Sequence, residues 1–252
     1  MSTAILPTPA TIPTSLSASP PAPPLVAQPK SVIEAAVALL PVMQPGQRIL
    51  LDGISWADYV WFDLQRDELR PHAKLTYDHG RLEIDMASSF FHDRHSRKLC
   101  IVVMVISAIF GVATIAGGGT TFHREDLESG LEPDECFYIQ NAEVVCKLTD
   151  IDLSIHPPPD LAIEVDRTNS SIPKETIYYQ LGVPELWRFD DSAVTFLVRQ
   201  SDGTYRDQAA SRSFPILTSD ELSRFVWDNY TLDDGAYLLR AMTWAKTLLP
   251  KS

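Results

Sequence analysis

The stretch from Pro157 to Trp187, PPPDLAIEVDRTNSSIPKETIYYQLGVPELW, constrains the fold more than any other part of the chain. Pro157, Pro158 and Pro159 bar a helix ahead of Asp160, so the segment Asp160–Asp166 is predicted to form a short strand. Strand side chains alternate between faces, which sends Leu161, Ile163 and Val165 one way and Asp160, Ala162, Glu164 and Asp166 the other. Isolated buried carboxylates are costly unless paired or bound to a cation, so this acidic row needs a partner. Thr168–Ser171 reads as a polar turn. Pro173 suits the first position of a helix that runs to Leu181 and stops at Gly182. Lys174 then falls in the first helical turn, where the helix dipole disfavours a cation. The acidic row just upstream supplies a reason for its being there.

The rest of the chain reads as an alternation of helices and strands. Ser55 is an N-cap for a helix through about Leu69. Lys74–Tyr77 and Arg81–Met86 form a hairpin around Asp78-His79-Gly80, with Glu83 and Asp85 on one face. Leu99–Ala116 is apolar and sits at the lower length limit for a membrane span, but Ser107, Gly111 and Thr114 interrupt it. A buried helix from about His92 to Phe110 is the expectation, stopped by Gly111 and followed by a strand Val112–Ala116. Gly117-Gly118-Gly119 is a turn without the pattern of a phosphate-cradling P-loop. Thr120–His123 and Asp134–Ile139 read as strands on either side of a charged loop, Arg124–Pro133. Asp134, Cys136 and Tyr138 share a face. Glu185–Asp190 and Ala193–Val198 are two further strands, and the chain ends in helical patterns over Ser219–Trp227 and Asp233–Leu249. The fold class that follows is α/β or α+β, a mixed β-sheet flanked by helices.

Composition matters at three points. Residues 1–45 carry ten of the nineteen prolines and no aromatic side chain. Such a segment buries too little apolar area to offset its ordering entropy and is expected to be a disordered Pro-rich tail, with the globular domain spanning 46–252. It lacks the basic and apolar regions of a secretory signal. The net charge of −12 argues against a generic nucleic-acid coat protein, though not against an enzyme that meets a phosphate backbone at a local basic patch. Cys100, Cys136 and Cys146 have neither zinc-ligand spacing nor an even count, which suits a reducing, cytoplasmic compartment. His92 and His95, three residues apart without a third ligand, read as hydrogen-bonded or surface histidines.

The segments EPDECFYIQN, IDLSIHPPPDLAIEVDRTNSS, Lys174–Tyr178 and GVPELW together resemble the Uma family of restriction-type endonucleases, within the PD-(D/E)XK phosphodiesterase superfamily. The resemblance covers about Leu51 to Val226. It implies a restriction-endonuclease-like core and a divalent metal held by carboxylates at the sheet edge. It also matches Asp134 to the Asp of the PD motif and Glu164 to the acidic residue of (D/E)XK. The superfamily lysine would fall at Asp166; Lys174, on the following helix, is similar to a migrated substitute. Glu83 resembles the further acidic residue ahead of the first core helix, and Thr76 stands near where the family often has a Glu.

Chemistry reads the same residues in the same way. Phosphodiester hydrolysis needs an activated water, charge relief on the phosphoryl oxygens and help for the leaving oxygen, all of which Mg²⁺ or Mn²⁺ supplies. Asp134, Glu164 and the Val165 backbone carbonyl are the expected metal ligands, with Lys174 orienting water or neutralising charge. Asp134, Glu164 and Lys174 are thus the expected catalytic group, to which the resemblance alone adds Glu83. Two carboxylates brought together should repel, raising the pKa of at least one. The expected substrate is nucleic acid, DNA by the resemblance, with no membrane partner, and a homodimer suits an enzyme that cuts two strands. Asp166 at the superfamily lysine position and the acidic balance leave a rival reading open: a catalytically silent nuclease-fold protein that binds or regulates.

Overall fold

The computed structural model describes residues 31–69, 73–86, 90–165, 170–190 and 193–250. The first half contains α1 (Val32–Leu39), β1 (Arg48–Asp52), α2 (Trp56–Leu69), β2 (Ala73–Asp78), β3 (Arg81–Met86) and α3 (Phe90–Phe110). Short strands follow: β4 (Ile115–Ala116), β5 (Phe122–Arg124), β6 (Ser129–Leu131) and β7 (Glu135–Tyr138), then the one-turn helix α4 (Ala142–Val145). The second half runs β8 (Leu161–Val165), α5 (Lys174–Leu181), β9 (Glu185–Phe189), β10 (Val194–Arg199) and β11 (Tyr205–Gln208). It closes with α6 (Ser219–Asn229) and α7 (Asp234–Thr247).

Among the described residues the strands form two sheets where the sequence suggested one. The first has the order β1-β3-β2-β6-β5 and is antiparallel throughout. The second has the order β11-β10-β9-β8-β7-β4 and is mixed, because β8 and β9 run parallel across the α5 crossover. The chain passes from one sheet to the other between Leu131 and Glu135. Pro133 sits at that passage and has no N–H to donate, so neither ladder continues through it. The mixed α+β class thus stands, with Pro133 at the last crossing between the sheets; the chain has already visited the second sheet once, at β4.

The β2–β3 hairpin turns at His79 (φ 46°) and Gly80 (φ 83°), the positive pair that a two-residue type I′ turn requires. The loop expected over Arg124–Pro133 contains β6, whose sequence is too short and too glycine-rich to announce a strand. Gly130 is needed there, since a Cβ would come within 2.6 Å of the Tyr59 hydroxyl. The strand expected over Val112–Ala116 shrinks to β4, and β1 and β11 were not foreseen.

Three apolar clusters hold the elements. The first lies between α3, α6, α7 and one face of the second sheet, and it takes in Leu161, Ile163 and Val165. The second, on the opposite face, joins Ala162 of β8 to Ile177, Tyr178 and Leu181 of α5. The alternation read from β8 therefore holds: aliphatic residues face α3, and the Glu164 side faces α5. The third cluster packs α1 and α2 on the first sheet. Ile33, Ala36, Leu40 and Met43 are buried in it, so residues 31–43 belong to the packed structure and not to a tail reaching residue 45. The one or two helical turns legible over Ser31–Leu40 are α1, and it is their docking on the domain that the surrounding prolines hid. Among the described residues no helix is long and apolar enough to cross a membrane; α3 is instead an internal helix stopped by Gly111 at φ 68°.

Candidate active site

Strand pairing brings Asp134 alongside the Glu164 segment. Antiparallel pairing sets Glu135 opposite Ile163, and Asp134 lies one residue beyond the end of that ladder, beside the Ile163–Val165 stretch. The Asp134 N–H donates to the Ile163 carbonyl at 3.1 Å, which carries the pairing up to the Pro133 corner. Both carboxylates are buried: Glu164 is 5 % exposed and the Asp134 side chain 4 %.

Every oxygen of the pair has a partner. Val165 enters the site through its amide, which donates to Asp134 Oδ2 at 2.6 Å. His92 Nε2, from the first turn of α3, is 2.9 Å from that same oxygen. Lys74 Nζ, from β2 of the other sheet, pairs with Asp134 Oδ1 and lies 3.4 Å from the Pro133 carbonyl. On Glu164, the Tyr178 hydroxyl donates to Oε1 and Lys174 Nζ sits 2.7 Å from Oε2. Two carboxylates thus face two ammonium groups where the chain changes sheets.

The expected repulsion is reversed at Asp134. Burial pushes its carboxyl up, but Lys74, His92 and Lys174 outweigh burial and hold it well below the usual carboxylate range. Burial lowers the His92 imidazole, yet its contacts with Asp134 prevail and raise it above the ordinary histidine value. The Tyr178 phenol is pushed well above its usual range, first by burial and then by the Glu164 charge. It therefore stays a hydrogen-bond donor.

Local sequence explains how Lys174 arrives. Pro173 precedes the first turn of α5, and Gly182 ends the helix at φ 87° while its N–H reaches the Tyr178 and Tyr179 carbonyls. Lys174 and Tyr178 are four residues apart, so they lie on one helical face, and that face meets Glu164. The unfavourable dipole position of Lys174 is offset by this ion pair. A cleft of about 440 Å³ opens here, lined by Glu164, Ser170, Lys174, Tyr178 and Arg188 among others. It gives Glu164 and Lys174 a path to solvent.

The remaining predicted residues fall elsewhere. Glu83 is 2 % exposed and accepts from the Ser170 hydroxyl and the Ser171 amide, each at 2.7 Å, with Arg48 Nε at 3.5 Å. It thereby ties the first sheet to the segment leading into α5. Asp160 accepts from the Ile139 and Asn141 amides and from the Asn141 side chain, capping the loop after β7. Asp166 lies outside the described residues. Lys74 was missed, since a lone lysine in a hairpin strand gives no sign of a carboxylate 60 residues away. His92 was noted only as a hydrogen-bonded or surface histidine.

Two buried carboxylates, lysines beside each and an open cleft thus lie together in a mixed α+β domain. The chain belongs to the Uma2 family, described as "Putative restriction endonuclease", whose sequence model matches residues 56–229. No curated protein matches it significantly. Among solved structures it is similar to one described as "a putative nuclease belonging to DUF820 from Anabaena variabilis ATCC 29413". That similarity has 17 % sequence identity and a TM-score of 0.41, covering 68 % of this chain and 90 % of the other.

Proposed function

We propose that the protein is a metal-dependent endonuclease that hydrolyses phosphodiester bonds of DNA at the Asp134–Glu164 pair. The observation that carries this reading is that Asp134 is bonded to the backbone of Ile163 and Val165, on either side of Glu164, while Lys174 reaches Glu164 from the next helix. The donor set fits Mg²⁺ or Mn²⁺. Both are hard cations that take carboxylate oxygens, and Mg²⁺ retains several waters, so a site with few protein ligands suffices. Among the described residues no third His, Cys, Asp or Glu completes a ready-made ligand cluster. In our reading the Val165 carbonyl supplies the third protein ligand. When bound, the cation supplies a more acidic water and charge relief on the phosphoryl oxygens.

The chain's own residues then have separate tasks. Asp134 and Glu164 hold the cation, and the Val165 amide and Tyr178 hydroxyl fix the orientation of the two carboxylates. Lys174, partly open to the cleft, orients the attacking water or neutralises charge on the phosphate. Glu83 acts as a positioning residue, holding Ser170 and Ser171 and hence the start of α5. A reducing cytoplasmic compartment suits the three free cysteines, and a homodimer suits a cut through both strands.

A second reading has an observation of its own. Both carboxylates are already neutralised by lysines, as in a closed ion-pair cluster of a catalytically silent, DNA-binding or regulatory protein. Incubation of supercoiled plasmid with the protein and Mg²⁺ or Mn²⁺, beside a Glu164→Ala control, separates the two. Metal-dependent nicking by the parent alone supports the enzyme; identical intact plasmid in both lanes supports the silent reading.

A further inference from the structure

The lysine that no sequence pattern announced is the one whose position asks for an explanation. Asp134 Oδ2 is committed to the protein interior, held by the Val165 amide at 2.6 Å and approached by His92 at 2.9 Å. Oδ1 is the oxygen that backbone amides leave uncovered, and there Lys74 Nζ rests. Pairing of β2 with β6 sets Thr76 opposite Leu131, so two further steps bring Lys74 level with Pro133, the residue before Asp134. The lysine is thus delivered by the first sheet to a carboxylate at the entrance of the second. Its side chain is 29 % exposed while that of Asp134 is 4 % exposed. The ammonium can therefore swing into water on its flexible stem, whereas the carboxylate cannot follow.

We propose that Lys74 is a resident counter-ion that occupies, on Asp134, the place a divalent cation must take, and so sets the metal affinity of the site. This rests on the metal-dependent reading above and deepens it. A buried carboxylate left without a partner is costly, so an ion pair keeps the folded metal-free state intact. A divalent cation entering the site has to displace the ammonium, and its net affinity is reduced by whatever that pair contributes. The pair of carboxylates is also charge-balanced by Lys74 and Lys174, which removes the long-range attraction that two bare carboxylates would exert on any cation. A displaced Lys74 stays tethered beside Asp134, where a phosphate bound at the site would meet it.

Calorimetric titration with Mn²⁺ on the full chain, stripped of metal, tests this. The proteins are the parent, Lys74→Met, Lys74→Gln, Lys74→Arg and Asp134→Asn. The expected result is that Lys74→Met and Lys74→Gln bind Mn²⁺ at least about tenfold more tightly than the parent, roughly 1.4 kcal/mol. Lys74→Arg, which keeps the charge, should bind like the parent, and Asp134→Asn should lose most binding. Thermal melts give a second readout. Without metal Lys74→Gln should melt below the parent, and added Mn²⁺ should raise its melting temperature by more than it raises the parent's. Glutamine keeps a donor for Asp134, so it covers the case in which the methionine variant does not fold. Unchanged or weaker Mn²⁺ binding in both neutral variants, with Asp134→Asn still defective, overturns the role of Lys74 and leaves the metal site standing. Equal binding by parent and Asp134→Asn, or none by any protein, overturns the metal reading and this inference with it.

Discussion

Among the buried carboxylates of the second sheet and its approaches, two pairs differ in what faces them. Asp160 and Glu185 meet N–H groups. Asp160 takes the Ile139 and Asn141 amides and the Asn141 side chain, and Glu185 takes the Trp187 indole and the Arg212 and Ser213 amides. Asp134 and Glu164 meet ammonium groups, from Lys74 and Lys174. Burial does not separate the pairs, since Asp160 is 4 % exposed, Glu185 0 % and Glu164 5 %. The partners do. An amide in a folded backbone cannot leave its acceptor, so the first pair is fixed as structure. An ammonium on four methylenes can leave, so the second pair can exchange its cation for another. A buried carboxylate is thus a candidate for chemistry when its partner is exchangeable, and not merely because it is buried.

The largest effect expected from this contrast is on activity. Glu164→Gln or Asp134→Asn should lower metal-dependent plasmid cleavage by about 10³-fold, on the order of removing a dominant electrostatic element. Both proteins should still fold, as judged by near-UV circular dichroism. Parent-level cleavage by either would erase the distinction between the pairs.

Lys174→Ala comes next, with cleavage reduced by about 10²-fold. The dipole disfavours a cation at that helical position, but the variant also leaves Glu164 without its ammonium, so a modest loss of melting temperature is expected too. A loss of stability with no loss of rate, read by single-turnover kinetics, would move Lys174 to the structural side of the comparison.

Glu185→Ala and Asp160→Ala should do the reverse. Each strands at least two buried or partly buried N–H donors, so each should destabilise by about 2–3 kcal/mol in urea unfolding. The folded fraction should cleave at the parental rate. A selective fall in rate in either would mean that N–H-bound carboxylates also serve the chemistry.

The smallest effect is on pH dependence. The Asp134 carboxyl is held low in the folded protein, so it binds a proton less readily folded than unfolded. Its contribution to stability is therefore complete above the unfolded value of about 3.9 and is lost as pH falls below it. Metal-free melting curves from pH 5 to pH 2 should fall more steeply for the parent than for Asp134→Asn. Equal slopes would show that the Lys74 and His92 contacts do not favour the charged form.

Much of this was legible in the chain. The segment Asp160–Gly182 specifies its own conformation through nearby residues. Prolines exclude helix before the strand, alternation separates the aliphatic from the acidic face, and Pro173 and Gly182 delimit α5. The hairpin turn and the end of α3 were readable for the same reason, since positive φ at Gly80 and Gly111 is a local demand. Where the signal was weak, less could be read. One or two helical turns over Ser31–Leu40 were legible, but the docking of α1 was not, because its small apolar face among prolines depends on α2 and the first sheet and not on its own propensity. Strand β6 exists because β2 and β5 flank it.

The mixed α+β class, the faces of β8 and the limits of α5 are written in the chain through periodicity and proline and glycine geometry, which act over a few residues. Asp134, Glu164 and Lys174 stood out through the family resemblance of short motifs. How the charges are compensated depends on the folded arrangement. Pairing of strands far apart in the chain brings Asp134 to the backbone of Ile163 and Val165, Lys74 crosses from the other sheet, and Glu83 turns to Ser170 and Ser171. A carboxylate takes its character from whichever donor the fold brings within about 3 Å. That donor is set by sheet order and register, which no local stretch of sequence contains.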